Sequence, residues 1–435
     1  MIRVLLAALA LLASVPAVAQ VAPAAPATVA ADPALATRAD ELVAMVAGTG
    51  DYARFFSPAV HTALPKPQWD AVTIQLVAQF GRPLAVESVT ATAPFAGTVR
   101  LRFERGVVSI LLGLDPSPPH AVTGLRIAGS ELAGDTLAKL AADLRALPGR
   151  SAYGIYALGG AAPRLVAGAD GDRPLALGSV FKLWVLGELA RSVSAGERRW
   201  ADVVPLGRAS LPTGVLQTWP AATPVTLQTL ATLMISVSDN TASDTLMTLQ
   251  GARLDAFART TGAPALAPMP TTRQMFAMKV PANAALARAW ADAIGTDARR
   301  RLLADNAGRL ASTAIDAGMF DAKPLAIDTL EWFATPAQTA GVLDWLRRRG
   351  GRTTLDLLAV NPGADTATRG RYDYLGFKGG SETGLITLAY LARRKDGRWL
   401  ALVGHWSRPD AAVDNNRFAV LMGRALLLAA AAPLD

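Results

Sequence analysis

Lys182 stands inside the apolar run "LALGSVFKLWVLGEL", residues 175–189, where helical spacing asks for a core side chain. A buried ammonium group is costly unless it is paired, so a fold that uses this run as a core helix must pair the lysine or neutralise it. Ser179 lies three residues earlier and shares a helix face with it. If Gly178 precedes the first turn, Ser179 sits among unpaired backbone N–H groups at the positive end of the dipole. A hydroxyl there can attack a carbonyl, the N–H of its own residue can hold the oxyanion, and a partly neutral Lys182 can act as base. Read alone, the stretch is better described as a snorkelling lysine and a capping serine.

The rest of the chain removes other chemistries. It has 435 residues and no cysteine, which excludes disulfides, thiol nucleophiles and thiolate metal sites. Its three histidines, His61, His120 and His405, are too few for most zinc sites and make a Ser-His-Asp triad hard to build. Lysine is left as the obvious base, and neither metal nor cofactor is expected. The formal charge is +8, but the arginines are scattered, and Arg347-Arg348-Arg349 follows a predicted helix whose dipole suits them. Nucleic acid is therefore not an expected partner. At the N-terminus, Arg3, the apolar run Val4 to Ala13 and Ala17-Val18-Ala19 form a secretory signal-peptide pattern over 1–19. An Ala/Pro linker follows at 20–32, no membrane span is expected after signal removal, and the predicted location is secreted or periplasmic. Oligomeric state leaves no mark in the sequence.

Helical spacing recurs in "ALATRADELVAMVAG" and in residues 66–81, followed by four strand-like runs ending near Ser130. The expectation for 33–130 is a small α+β domain, helices on a curled antiparallel sheet. It shows no catalytic constellation; His61 and Asp70 read as a surface pair or a satisfied contact. From 131 to 435 the pattern is helix, two strands, a helix-rich stretch over about 178–348, two strands and a last helix. That predicts a sheet assembled from both ends of a second α+β domain, with helices packed on it.

Two further motifs join the first. Ser238-Asp239-Asn240 falls between two predicted helices, and "YLGFKGGSETG" brings Lys378 on a strand, followed by Gly379 and Gly380. Each is weak alone: Ser-Asp-Asn favours turns and caps, and the glycines suit a hairpin corner. In this order, with Ser179 and Ser238 59 residues apart, S-x-x-K, S-D-N and K-x-G resemble the triplet of class A β-lactamases and penicillin-binding proteins. The resemblance runs from about Ser130 to the C-terminus and implies an antiparallel sheet with an all-helical subdomain. It implies Ser179 as acylated nucleophile, Lys182 as its base and Ser238 as proton relay to the leaving nitrogen. Asn240 would orient substrate amide and Lys182, and Lys378 would supply positive potential. Gly379, Gly380 and Ser381 would line the substrate and oxyanion site, with Ser381 giving the second oxyanion N–H. The order of domains resembles β-lactamase-like proteins with a cystatin-like or NTF2-like front domain.

The chain departs from the family in two places. Gly379 replaces the hydroxyl residue after the motif lysine, and Ser381 is displaced by one residue, which on a strand means the opposite face. Where class A enzymes carry the glutamate that activates the deacylating water, this chain reads "MPTTRQMFAMK", 269–279, with no carboxylate. Glu331 is the possible substitute if its loop folds back, with Asp328 and Asp321 as weaker candidates. The expected function is an exported serine hydrolase acting on a small-molecule β-lactam or related acyl ester or amide. The alternative is a slowly deacylating or non-hydrolytic ligand-binding protein.

Overall fold

The structure is a computed structural model that describes residues 30–433; the expected signal peptide, 1–19, lies outside them. Asp32 caps the first helix, Pro33–Val46, its carboxylate accepting from the Ala34 N–H at 2.9 Å, and Pro33 occupies a position where its missing N–H costs nothing. Helices Tyr52–Phe55, Pro58–Ala63 and Lys66–Phe80 follow, then strands Pro83–Ala93, Ala96–Phe103, Gly106–Leu114 and Val122–Leu132 as an antiparallel meander. Val99, Leu101 and Phe103 alternate inward on one strand and Val108, Ile110 and Leu112 on the next. Leu35, Leu42, Trp69 and Phe80 close over them from the helices. Each fully buried side chain of this size stabilises the fold by about 1.5–3 kcal/mol. His61 stacks on Tyr52, whereas Asp70 pairs with Lys66 at 2.7 Å, so these two are not each other's partners.

The boundary expected at 130–131 needs correction. Hydrogen bonding carries the strand Val122–Leu132 through that point, and Thr136 caps the next helix, Leu137–Arg145. The front unit therefore ends in the short turn between them.

Five antiparallel strands form the second sheet, in the order Tyr372–Glu382, Leu385–Arg394, Trp399–Ser407, Arg150–Leu158, Arg164–Ala169. As expected, both ends of this unit contribute strands. Its inner strands are buried on both faces, and their near-continuous apolar runs reflect this. Leu388, Tyr390, Leu400 and Leu402 face the helices Leu137–Arg145 and Asn415–Ala431; Ala389, Leu391, Ala401 and Val403 face the helical block. At the centre of that block, helix Lys182–Ser194 has Leu183, Trp184, Val185, Leu186 and Leu189 wholly buried. This is an α+β fold whose sheet edge and central helix converge on Ser179.

Arg424, on the last helix, ties the helix to the turn that leaves the front unit. Its Nε and Nη2 donate to Asp135 at 2.8 and 2.9 Å, and Nη1 donates to Asp143 at 2.7 Å. Arg424 and Asp135 are both buried, so removing the arginine strands a carboxylate away from water. Arg424→Ala should cost about 3 kcal/mol in urea unfolding, and Asp143→Ala, whose carboxylate is half exposed, distinctly less.

Candidate active site

Gly178–Phe181 is a short 3₁₀ turn that runs into helix Lys182–Ser194, so Ser179 does stand at a helix N-terminus. Gly178 has φ +50°, a conformation glycine adopts without penalty. The turn is pressed against the sheet edge. A Cβ on Gly380 would lie 2.4 Å from Leu177 O and 2.5 Å from Ser179 N. A Cβ on Gly178 would lie 3.2 Å from Ser381 N. These two glycines let the backbones of Ser179 and Ser381 meet, the pairing an oxyanion hole requires.

Lys182 is fully buried. Its Nζ contacts Ser238 O at 2.7 Å, Asn240 Oδ1 at 2.7 Å and Ser238 Oγ at 3.1 Å. The Ser179 hydroxyl is not among these partners, so the side chain turns toward the Ser-Asp-Asn loop more than the helix spacing suggests. The two carbonyl oxygens can only accept. A neutral amine has two hydrogens for them and one lone pair left for a hydroxyl. Burial, with Lys378 adding to it, holds Lys182 well below the usual lysine range, which matches that reading. Burial thus favours the neutral form of this lysine, and its hydrogen bonds tie it in place.

Ser238 Oγ bridges two lysines, since Lys378 Nζ donates to it at 3.0 Å. Lys378 is also buried, and desolvation pulls it down to about 7. Ser238 has φ +59°, a strained backbone for serine that only a well-tied loop can hold. The ties are visible. Lys182 and Thr213 both donate to Ser238 O, and Asp239, wholly buried, caps helix Asn240–Gln250 through Ala242 N. The other Asp239 oxygen accepts from Val215 N and Leu216 N at 2.6 and 2.8 Å. Ser238 and Asn240 are functional candidates; Asp239 positions them.

Lys378, Gly380 and Glu382 share one face of their strand, with Gly379 and Ser381 on the other. Ser381 is exposed, so its hydroxyl points away from Lys378 and only its backbone N–H faces the nucleophile turn.

A cavity of about 630 Å³ opens on Ser179, Ser238 and Asn240. Thr272, Phe276, Phe320 and Asp321, from the segment between Asn240 and Lys378, wall it. Arg273 is spent on backbone, donating to Ala311 O and Thr313 O. Glu331 lies on the cavity wall although it is remote in sequence. Phe333 and Ala334 pair with Ala176 and Leu175, and Leu177 N donates to Trp332 O, which brings Glu331 alongside Gly178. Asp321 also lines the cavity; Asp328 is exposed and lines a separate cleft beside Arg299. Lys279 and Glu382, which the sequence did not single out, complete a buried cluster with Glu331: Lys279 Nζ donates to Glu331 at 2.6 Å and to Glu382 at 2.5 Å. Their only sequence signal is a lysine and a glutamate in otherwise apolar or glycine-rich surroundings. Among the described residues no group of His, Cys, Asp and Glu could hold a metal ion.

Comparison with known proteins bears on the class. Residues 138–326 match the family model described as the Beta-lactamase enzyme family, a segment that includes Ser179, Lys182, Ser238 and Asn240 and stops short of Glu331 and Lys378. The match agrees over that segment with the resemblance read from the motifs; it does not extend to the front unit, whose cystatin-like reading gains no support from it. Among solved structures, the chain is similar to a beta-lactamase from Sphaerobacter thermophilus, at 24% identity and TM-score 0.45, over 68% of this chain and 95% of that one. A beta-lactamase from Chitinophaga pinensis is similar at 17% identity and TM-score 0.45, over 68% and 98% of the two chains. The structure titled PBP-A is similar at 14% and TM-score 0.44, over 67% and 94%. No curated protein matches.

The glycine contacts make a test. Gly380→Ala forces a methyl group onto Leu177 O and Ser179 N and should abolish acylation of Ser179. Gly379→Ala meets side chains and no backbone, the far edge of the Phe377 ring at 2.9 Å and Leu388 Cδ2 at 3.4 Å, and should retain most of it. Labelling of both purified variants by a fluorescent penicillin distinguishes the two.

Proposed function

We propose that this protein is an exported serine hydrolase that forms an acyl-enzyme at Ser179 from a β-lactam or a related acyl ester or amide. The observation that carries the reading is the buried Lys182–Ser238–Lys378 arrangement next to the Ser179 turn: two lysines on one hydroxyl, one of them with its lone pair free for a proton. Export rests on the signal-peptide pattern of residues 1–19.

The chemistry follows from the positions. The substrate carbonyl oxygen sits between the N–H groups of Ser179 and Ser381, and Ser179 Oγ attacks the carbonyl carbon. The Ser179 proton passes to the neutral Lys182. As the C–N or C–O bond breaks, Lys182 passes a proton through Ser238 Oγ to the leaving atom, and Lys378 holds Ser238 in line. Asn240, bonded to Lys182, presents its amide side chain at the cavity.

A second reading, a slowly deacylating ligand-binding protein, is favoured by one observation. The 269–279 segment that should supply the deacylating carboxylate supplies none, and Arg273 in it is committed to backbone. Intact-mass spectrometry with a penicillin and a cephalosporin separates the readings. A serine hydrolase gains the mass of the intact drug and then loses it as hydrolysed drug accumulates; Ser179→Ala gains nothing. An adduct that persists for hours supports the slow binder, and no adduct with any acyl donor overturns both.

Acylation should also follow Lys182. Protonation of Lys182 removes the base, and burial holds that amine well below the usual lysine range, so acylation should persist at neutral pH and fall on acidification as Lys182 takes up its proton. Stopped-flow acylation from pH 5 to 9 checks this; a rate flat down to pH 5 contradicts it.

A further inference from the structure

Glu331, Glu382 and Lys279 form a buried cluster that the acylation chemistry does not use. Glu382 stands on the strand face that also carries Lys378 and Gly380. Gly380 lies against Ser179 N, so the nucleophile is flanked along the strand by Lys378 on one side and Glu382 on the other. Glu331 arrives from the opposite direction, beside Gly178. Both glutamates are among the residues that line the cavity on which Ser179 opens.

A simple structural ion pair would satisfy its oxygens. Here Lys279 reaches one oxygen of each carboxylate, and no protein donor reaches Glu331 Oε2 or Glu382 Oε1, both buried. Two dry carboxylates beside a single ammonium are stable when they share a proton. Burial, with Glu331 adding and Lys279 opposing, pushes Glu382 up to about 8. The charged groups around the pair are Lys279 from helix Thr272–Lys279 and, across the cavity, Asp321 from helix Met319–Ala322.

We propose that the Glu331–Glu382 pair, pinned by Lys279, is the proton acceptor for the water that releases the acyl group from Ser179. The proposal rests on the acyl-enzyme reading above. Water oxygen bonds to the acyl carbonyl carbon, and one water proton passes to the pair. The tetrahedral oxyanion is held by the N–H groups of Ser179 and Ser381. It collapses with cleavage of the bond to Ser179 Oγ, which takes a proton back through Lys182. The products are the free carboxylic acid, which keeps the water's other proton, and the restored serine; the proton that reaches Ser179 through Lys182 is the one the pair took from the water, so the pair and Lys182 both return to their starting states. The missing glutamate of the 269–279 region is thereby replaced by a pair contributed from two distant segments.

The test uses the full chain and whichever donor labels Ser179: a penicillin, a cephalosporin or p-nitrophenyl acetate. Appearance and decay of the adduct are followed separately by intact mass, with Asp328→Asn, outside the cavity, as control. Glu331→Gln should slow adduct decay by about 100-fold or more, the size expected for loss of a general base. In the wild type, decay should rise with pH through about 8, and Glu382→Gln should remove that rise. Decay within threefold of wild type in a folded Glu331→Gln variant overturns the proposal. Should that variant fail to fold, a wild-type decay rate flat from pH 6 to 9 overturns it alone. Absence of adduct with all three donors defeats the Ser179 reading first and this proposal with it, whereas adduct formation with unaffected decay defeats only this one.

Discussion

The structure turns on burying one amine. Lys182 occupies a core position of the central helix, and the helix is a core helix because Leu183, Trp184, Val185, Leu186 and Leu189 leave it no solvent-facing side. A charged lysine there would be unaffordable, and the fold answers by giving it two carbonyl acceptors and a hydroxyl. That arrangement fixes the left-handed backbone of Ser238, which in turn needs Asp239 and Thr213 to hold its loop. The stability requirement of a core lysine and the chemical requirement of the base proposed for Ser179 are met by the same contacts.

Around this amine the sheet edge acts as a ruler. Alternate residues of one strand place Lys378 at Ser238, Gly380 at the backbone of Ser179 and Glu382 at the Lys279–Glu331 cluster. The alternation that carries Glu382 inward carries Ser381 outward, which accounts for an exposed hydroxyl where the resemblance suggests a substrate contact. Gly379, on that outer side, leaves the position without any hydroxyl.

Much of this was legible in the sequence because the three motifs are local. Each lies at a turn or strand end whose residues dictate their own backbone: Gly178 before Ser179, Asp239 as a helix cap, Gly380 against a neighbouring chain. Helices and strands were readable where the apolar period was clear, as in residues 66–81 or "WLALVGHWSR". The boundary near 130 was misplaced because the strand Val122–Leu132 continues through Ser130-Glu131, which carry no apolar alternation. The Lys279 cluster was not legible for a different reason. It is assembled by a two-residue strand pairing, Phe333–Ala334 with Leu175–Ala176, too short to leave a periodic signal. Lys279 and Glu382 lie 103 residues apart, and only three-dimensional packing joins them.

The central claim is that a lysine at this site is neutral near neutral pH. It can be tested directly by ¹³Cε-lysine NMR of the folded protein, since the chain has only seven lysines. The Lys378 resonance, assigned by conservative substitution, should titrate near 7, and that of Lys182 well below the usual lysine range. If every lysine remains protonated up to pH 10, Lys182 is an ordinary buried cation and the base assigned to Ser179 does not exist.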